Sequence, residues 1–138
     1  MPDRVQKVRY CYLEVPNRAG AGERILGQLR AGGVDLLVFS GFPIRGGKAQ
    51  LDFVPRDLAA FRKVARKNGW RVSAVKRAFL VTGTDQVGAV HRHIRKLADA
   101  KINITAVDAV AAGKGRYAVI LWVKPSFYGR AARVLGSR

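Results

Sequence analysis

Thr84-Asp85-Gln86-Val87-Gly88-Ala89-Val90 is the stretch that decides the fold of this chain. It joins a β-rich run, Phe79 to Gly83, to the start of a helix-periodic one. A short Asp-x-x-Gly turn at a helix N-terminus leaves backbone N–H groups without intrahelical partners. Those groups and the helix dipole suit a small anion such as a carboxylate. The pattern also occurs 68 residues earlier, as Pro16-Asn17-Arg18-Ala19-Gly20-Ala21-Gly22, with Gly20 standing where Gly88 stands. The two turns predict two copies of one module, over residues 1–76 and 77–138.

Working outward from the turns gives the same element order twice. Val8 to Val15 alternates and is rich in β-formers, so it predicts a strand. A helix follows over Glu23–Ala31, its apolar stripe formed by Ile25, Leu26 and Leu29, and Gly32-Gly33 ends it. Strands are expected over Val34–Ser40 and Lys48–Val54, separated by Pro43 and Gly46-Gly47. Pro55-Arg56-Asp57 opens a second helix with Leu58, Phe61, Val64 and Ala65 inward and Arg62, Lys63, Arg66 and Lys67 outward. Trp70–Val75 is expected as a fourth strand. In the second copy, Ala78–Gly83 is a strand, and Val90, Ile94, Leu97 and Ala98 mark a helix. Strands over Ile102–Ala109 and Arg116–Lys124 follow, then a helix from Pro125. The second copy is expected to lack its last strand.

Two βαββαβ units predict an α+β fold: ferredoxin-like antiparallel sheets, each with its helices on one face. Many functions share that fold, so the site must decide among them. Here the sequence resembles the ACT domain, a small regulatory module that binds amino acids. The resemblance rests on Asn17-Arg18-Ala19-Gly20 and Asp85-Gln86-Val87-Gly88, between first strand and first helix. It rests also on Gly33-Val34-Asp35-Leu36 and Lys101-Ile102-Asn103-Ile104, entering the second strand. It covers nearly the whole chain as a tandem pair; neither turn carries the proline frequent in the family.

The resemblance implies a ligand at the seam between modules, against the first turn and the start of the second strand. An amino-acid carboxylate would meet backbone N–H groups in Asn17, Arg18, Ala19, Gly20 and Ala21, or in Asp85, Gln86, Val87, Gly88 and Ala89. Asp35 or Asn103 would take its ammonium. Asn17 and Asp85 also suit plain helix capping, and the residues leave both roles open.

Composition bounds the rest. The chain has 138 residues and a formal charge of +17, from 26 Lys+Arg against 9 Asp+Glu. The charge is spread: residues 1–75 hold 14 basic and 6 acidic side chains (+8), and residues 76–138 hold 12 and 3 (+9). Such a field draws nucleic acid, anionic surfaces and acidic proteins alike. An apolar fraction of 49% argues against disorder. No apolar run reaches the roughly 20 residues of a membrane span, and the charged N-terminus is expected not to be a signal peptide. The lone Cys11 fits a reducing cytoplasm.

Catalysis finds little support. No Ser–His–Asp or Cys–His pattern is visible. His91 and His93 stand at i, i+2 on a helix, the wrong spacing for one metal, and are expected at the surface. Gly113-Lys114-Gly115 lacks the frame of a phosphate loop and predicts a hairpin. No cofactor or metal is expected.

The expected function is therefore a non-enzymatic sensor of a small metabolite. The rival is an RNA-binding module of the same topology, stacking bases on Tyr10, Tyr12, Phe39 and Trp122. The open sheet face of the second copy would carry Ala78, Leu80, Val107, Ala118, Ile120 and Trp122. So apolar a face predicts a homodimer or higher assembly, as does the Ala78–Gly83 edge left without a fourth strand. That edge would be covered by a neighbour's strand or by a continuous Arg71–Thr84 ribbon.

Overall fold

The glycine turns separate strand from helix twice, and, apart from the strand expected over Trp70–Val75, the elements fall in the predicted order. The computed structural model describes residues 2–137. Met1 and Arg138, the outer limits of the expected modules, lie outside them. The strands are β1 (Arg4–Pro16), β2 (Leu36–Ile44), β3 (Lys48–Pro55), β4 (Lys76–Thr84), β5 (Ile104–Gly113) and β6 (Arg116–Val123). The helices are α1 (Ala21–Ala31), α2 (Leu58–Lys67), α3 (Ala89–Asp99) and α4 (Tyr128–Leu135), the last entered through a 3-10 turn at Pro125–Phe127. The fold is α+β, with ferredoxin-like topology.

The chain forms two compact units: residues up to Val8 together with those from Arg77 onward, and Arg9–Lys76. In the Arg9–Lys76 unit the strand order is β2-β3-β1. Both ladders are antiparallel, with Cys11 opposite Phe53 and Phe39 opposite Phe53 on its other side. One face of these strands carries Cys11, Leu13, Leu51 and Phe53, which bury against Leu29 of α1 and Phe61 and Val64 of α2. Phe61 links the sheet to Trp70, with ring centroids 5.4 Å from Phe53 and 6.3 Å from Trp70. Asp57 starts α2 as expected, its Oδ1 accepting from the Ala60 N–H at 3.2 Å.

In the other unit β4, β6 and β5 lie side by side, again antiparallel, with Phe79 opposite Leu121 and Val107 opposite Leu121. Phe79, Val81, Val119 and Leu121 face α3 and α4 and bury Leu97, Tyr128, Ala131 and Leu135. Both helices thus sit on one sheet face in each unit, because side chains alternate along a strand and only one set is backed by helix.

Three expectations are corrected here. Trp70–Val75 is not a regular strand. The Ser73 N–H donates to the Tyr12 carbonyl at 2.9 Å, but the Tyr12 N–H is answered by Ser73 Oγ, also at 2.9 Å, rather than by a backbone carbonyl. A hydroxyl that competes with the main chain breaks the ladder.

The second correction concerns β4. No strand follows α4 among the described residues, yet β4 is not an open edge, because β1 lies beside it. The place expected to be empty is held by the start of the same chain.

The third correction concerns the apolar face turned away from the helices. Ala78, Leu80, Ile120 and Trp122 are 0%, 7%, 6% and 7% exposed in the single chain. The homodimer argued from their exposure loses that argument; of the named set Val107, at 41%, is the exposed member.

Smaller boundary shifts have local causes. Pro43 falls inside β2, opposite Ala49; a residue with no N–H to donate is tolerated there because β2 is an edge strand. β5 starts two residues late because Ile102 is still part of the helix end, its N–H donating to the Leu97 carbonyl at 2.9 Å.

Candidate functional site

The two glycine turns have matching geometry. Gly20 and Gly88 are the N-caps of α1 and α3, both left-handed, with φ of 91° and 82°. The N–H of Asn17 donates to the Gly47 carbonyl at 2.9 Å, and the N–H of Asp85 to the Gly115 carbonyl at 2.8 Å. The first amides to find a carbonyl four residues back are Arg24, on Gly20, and Arg92, on Gly88, each at 3.1 Å. The bonds from Asn17, Ala21 and Arg24 recur 68 positions later from Asp85, Ala89 and Arg92; the bond from the Arg18 N–H to the Pro16 carbonyl belongs to the first turn.

Capping by Asn17 and Asp85 does not occur: neither helix receives a side-chain cap bond. The glycines stand at that position because only a residue without Cβ takes positive φ without strain. Among the described residues the N–H groups of Gly22, Glu23, Val90 and His91 have no backbone partner, as a helix first turn requires. Nothing walls the turns off, since a Cβ built on Gly20 or Gly88 would meet no atom within 4 Å.

The predicted residues are only partly brought together. Gln86, Val87 and Gly88 edge a shallow depression of about 560 Å³ continued by His91, Arg92, Arg95 and Lys96 of α3, with Asp99 at its far end. Its charge is predominantly positive and it includes a helix N-terminus, a combination that favours an anion. Val87 is fully exposed at its rim, whereas Ala89 is buried beneath it. Asn103 lies elsewhere, in a separate depression of about 360 Å³ with Ile94, Ala98 and Ile102. In the Arg9–Lys76 unit, Arg18, Ala19 and Gly20 are exposed and Ala21 half-buried. Asp35 is engaged by Arg56, whose Nε donates to Oδ2 at 2.5 Å.

The sequence reading missed a polar cluster beside the second turn. Asp3 Oδ2 accepts from Arg92 at 2.7 Å, from His93 Nε2 at 2.6 Å and from the Tyr117 hydroxyl. His93 is 3% exposed, not the surface residue expected, and its buried Nδ1 has no hydrogen-bond partner. The available signal was the i, i+4, i+8 row Ala89, His93, Leu97, all three buried on α3. Gly83 makes room for the carboxylate: a Cβ there would fall 2.0 Å from Asp3 Oδ1.

Burial pushes the Asp3 carboxyl up, but the hydrogen bonds from Tyr117 and His93 and the charge of Arg92 outweigh it and hold Asp3 below the usual range. Tyr117 is pushed up to about 12, by burial first and then by its bond to Asp3. A depressed carboxyl stabilises the fold above its unfolded value, about 3.9, and loses that contribution as pH falls through the folded value. Melting temperature should therefore drop steeply below about pH 4. Asp3→Asn should melt several degrees lower at neutral pH and show a flatter acid limb; parallel limbs in calorimetry at pH 2–7 would refute this.

The sheet aromatics proposed for base stacking are not available as a set. Tyr10 and Trp122 are each 7% exposed, because they lie on the strand face that is buried in the chain. Phe39, 41% exposed, lies at the edge on β2.

Comparison with solved structures follows the same outline. A protein of Bacteroides thetaiotaomicron superposes with a TM-score of 0.77 at 16% identity, covering 97% of this chain and 88% of that one. The regulatory subunit of aspartate kinase from Thermus thermophilus, in a ligand-free form, matches with TM-score 0.60 and 15% identity over 97% and 94% of the two chains. Aspartokinase alpha and beta subunits match with TM-score 0.62 and 18% identity over 98% and 95%. At these identities the likeness establishes an ACT-type fold. No protein-family model matches the chain, and no curated protein matches it by sequence.

Proposed function

We propose that this chain is a tandem pair of ACT-like modules that acts, without catalysis, as a cytoplasmic sensor of a small carboxylate-bearing metabolite, an amino acid. The observation that carries the reading is the pair of matched turns. Each has a left-handed glycine N-cap followed by two first-turn amides without a backbone partner, with open space beside the glycine. The turn at Gln86–Ala89 is the better site, since Arg92 and Lys96 add positive charge beside the free amides. The carboxylate would sit on the Val90 and His91 N–H groups, with Gly88 keeping the approach clear. Likeness in fold to the regulatory subunit of an aspartate kinase supports a regulatory role of this kind. Output is a partner contact or self-association, driven by unequal ligand affinity for two states. The exposed edge strand β5 is a natural surface for either.

The test is a thermal-shift screen against the amino acids. At a ligand concentration 100 times Kd the stabilisation is about 2.7 kcal/mol, a shift of several degrees. Gly88→Val, which strains the left-handed turn that presents the amides, should abolish the shift. The variant will itself be less stable, by about 1–2 kcal/mol for a residue forced to positive φ, so each protein is compared with its ligand-free self. A flat screen, or a Gly88→Val protein that responds like wild type, rejects the reading.

A further inference from the structure

We propose that the outward face of α2 is a docking ridge for the phosphate backbone of a nucleic acid. This goes beyond the metabolite site: it uses other residues, in the Arg9–Lys76 unit. Arg62 and Arg66 form one i, i+4 row and Lys63 and Lys67 a second, beside the first. Charges within a row rise about 6 Å along the helix. All four are exposed, as is Arg71, four residues past the helix end.

Among the described residues none of the four has an acidic partner. From Leu58 to Lys76 the chain contains no Asp or Glu. The nearest acids upstream are engaged: Asp57 by the helix cap, Asp52 by Gln50 in a buried position, and Asp35 by Arg56.

Four like charges at this spacing repel one another, so the ridge costs helix stability rather than adding to it. A face kept merely for solubility mixes signs. The chemistry of the ridge also selects the partner. A membrane-seated helix needs apolar side chains beside its cations, but Phe61, Val64 and Ala65 of α2 are buried inward. A protein partner needs an apolar or aromatic anchor at the centre of the contact; the other outward residues are Ala59, Asn68 and Gly69. A phosphate backbone needs only charge, and binds through released counterions without reading sequence. With Tyr10 and Trp122 buried, such binding rests on charge instead of base stacking.

The experiment is fluorescence anisotropy of the full chain with a labelled 20-base-pair DNA duplex and a labelled single-stranded RNA, from 50 to 300 mM salt. The ridge variant combines Arg62→Gln, Lys63→Gln, Arg66→Gln and Lys67→Gln. The control removes four charges elsewhere, by Lys114→Gln, Arg116→Gln, Lys124→Gln and Arg133→Gln. Neutralising four phosphate contacts should weaken binding about 100-fold at 50 mM salt and make the slope of log K against log salt shallower by about 3 to 4. The control should change both far less. Equal losses in the two variants would mean diffuse charge and overturn the ridge. So would the absence of salt-dependent binding to either nucleic acid, or binding only to vesicles of phosphatidylserine and phosphatidylcholine. Circular dichroism of the ridge variant confirms that it is folded before its affinity is read.

Discussion

Gly83→Val is expected to destabilise the protein by about 3 kcal/mol, by crowding a buried site and breaking a buried charge cluster. Gly83 is buried in β4 without a positive φ, so conformational freedom is not its purpose. Space is: a Cβ would stand 2.0 Å from Asp3 Oδ1, 2.6 Å from its Cγ and 2.9 Å from Tyr117 Cε1. The Asp3 carboxylate would have to leave, abandoning the Tyr117 hydroxyl and His93, whose Nε2 it meets at 2.6 Å. Those groups would lose their partner in a place with little water to replace it. Melting temperature should fall by about 10 °C. Because the clash is chiefly with Asp3, Gly83→Ala should cost clearly less in an Asp3→Ala background than alone, giving a coupling energy in a double-mutant cycle. Additive costs would mean that Gly83 is needed for some other reason.

Phe79→Ala should be the most damaging single truncation in its unit, at about 3–5 kcal/mol. Phe79 is completely buried among residues of β4, β6, α3 and α4. Its ring stacks on Tyr128, with centroids 4.4 Å apart and planes 10° from parallel. Tyr128 is held from both ends, its hydroxyl donating to the Ala78 carbonyl at 3.0 Å and its ring under Arg77 at 4.2 Å. Removing Phe79 therefore leaves a cavity and strips the aromatic partner from the residue that starts α4. Phe79→Leu should recover more than half of the loss, since it refills most of the volume. Urea titration of the three proteins measures this, and a loss below about 1 kcal/mol for Phe79→Ala would show that the site collapses freely.

Much of the architecture was legible from particular residues. The stripe Leu58, Phe61, Val64 and Ala65 predicted the buried side of α2, and its outward Arg62, Lys63, Arg66 and Lys67 are exposed. The glycines marked the two turns that precede α1 and α3, because positive φ is a backbone requirement that one residue type satisfies cheaply. Asn17 and Asp85 were harder: their side chains suit capping, but the glycine three residues on takes the position. The His93 cluster was illegible because its partners come from positions 3 and 117, which no local pattern connects.

By itself, then, the amino-acid order determined what short-range physics governs: the α+β class, the element sequence apart from Trp70–Val75, and the two glycine bends that leave amides free. Tertiary structure alone decided which residues meet. The sequence predicted a strand only from Val8 to Val15, after a charged N-terminus; only the folded chain shows β1 beginning at Arg4 and lying beside β4, where a last strand was missing. It also decided that Ala78, Leu80, Ile120 and Trp122 are hidden instead of exposed. A strand's alternation states that two faces differ; it carries no information about what, at long range, covers either one.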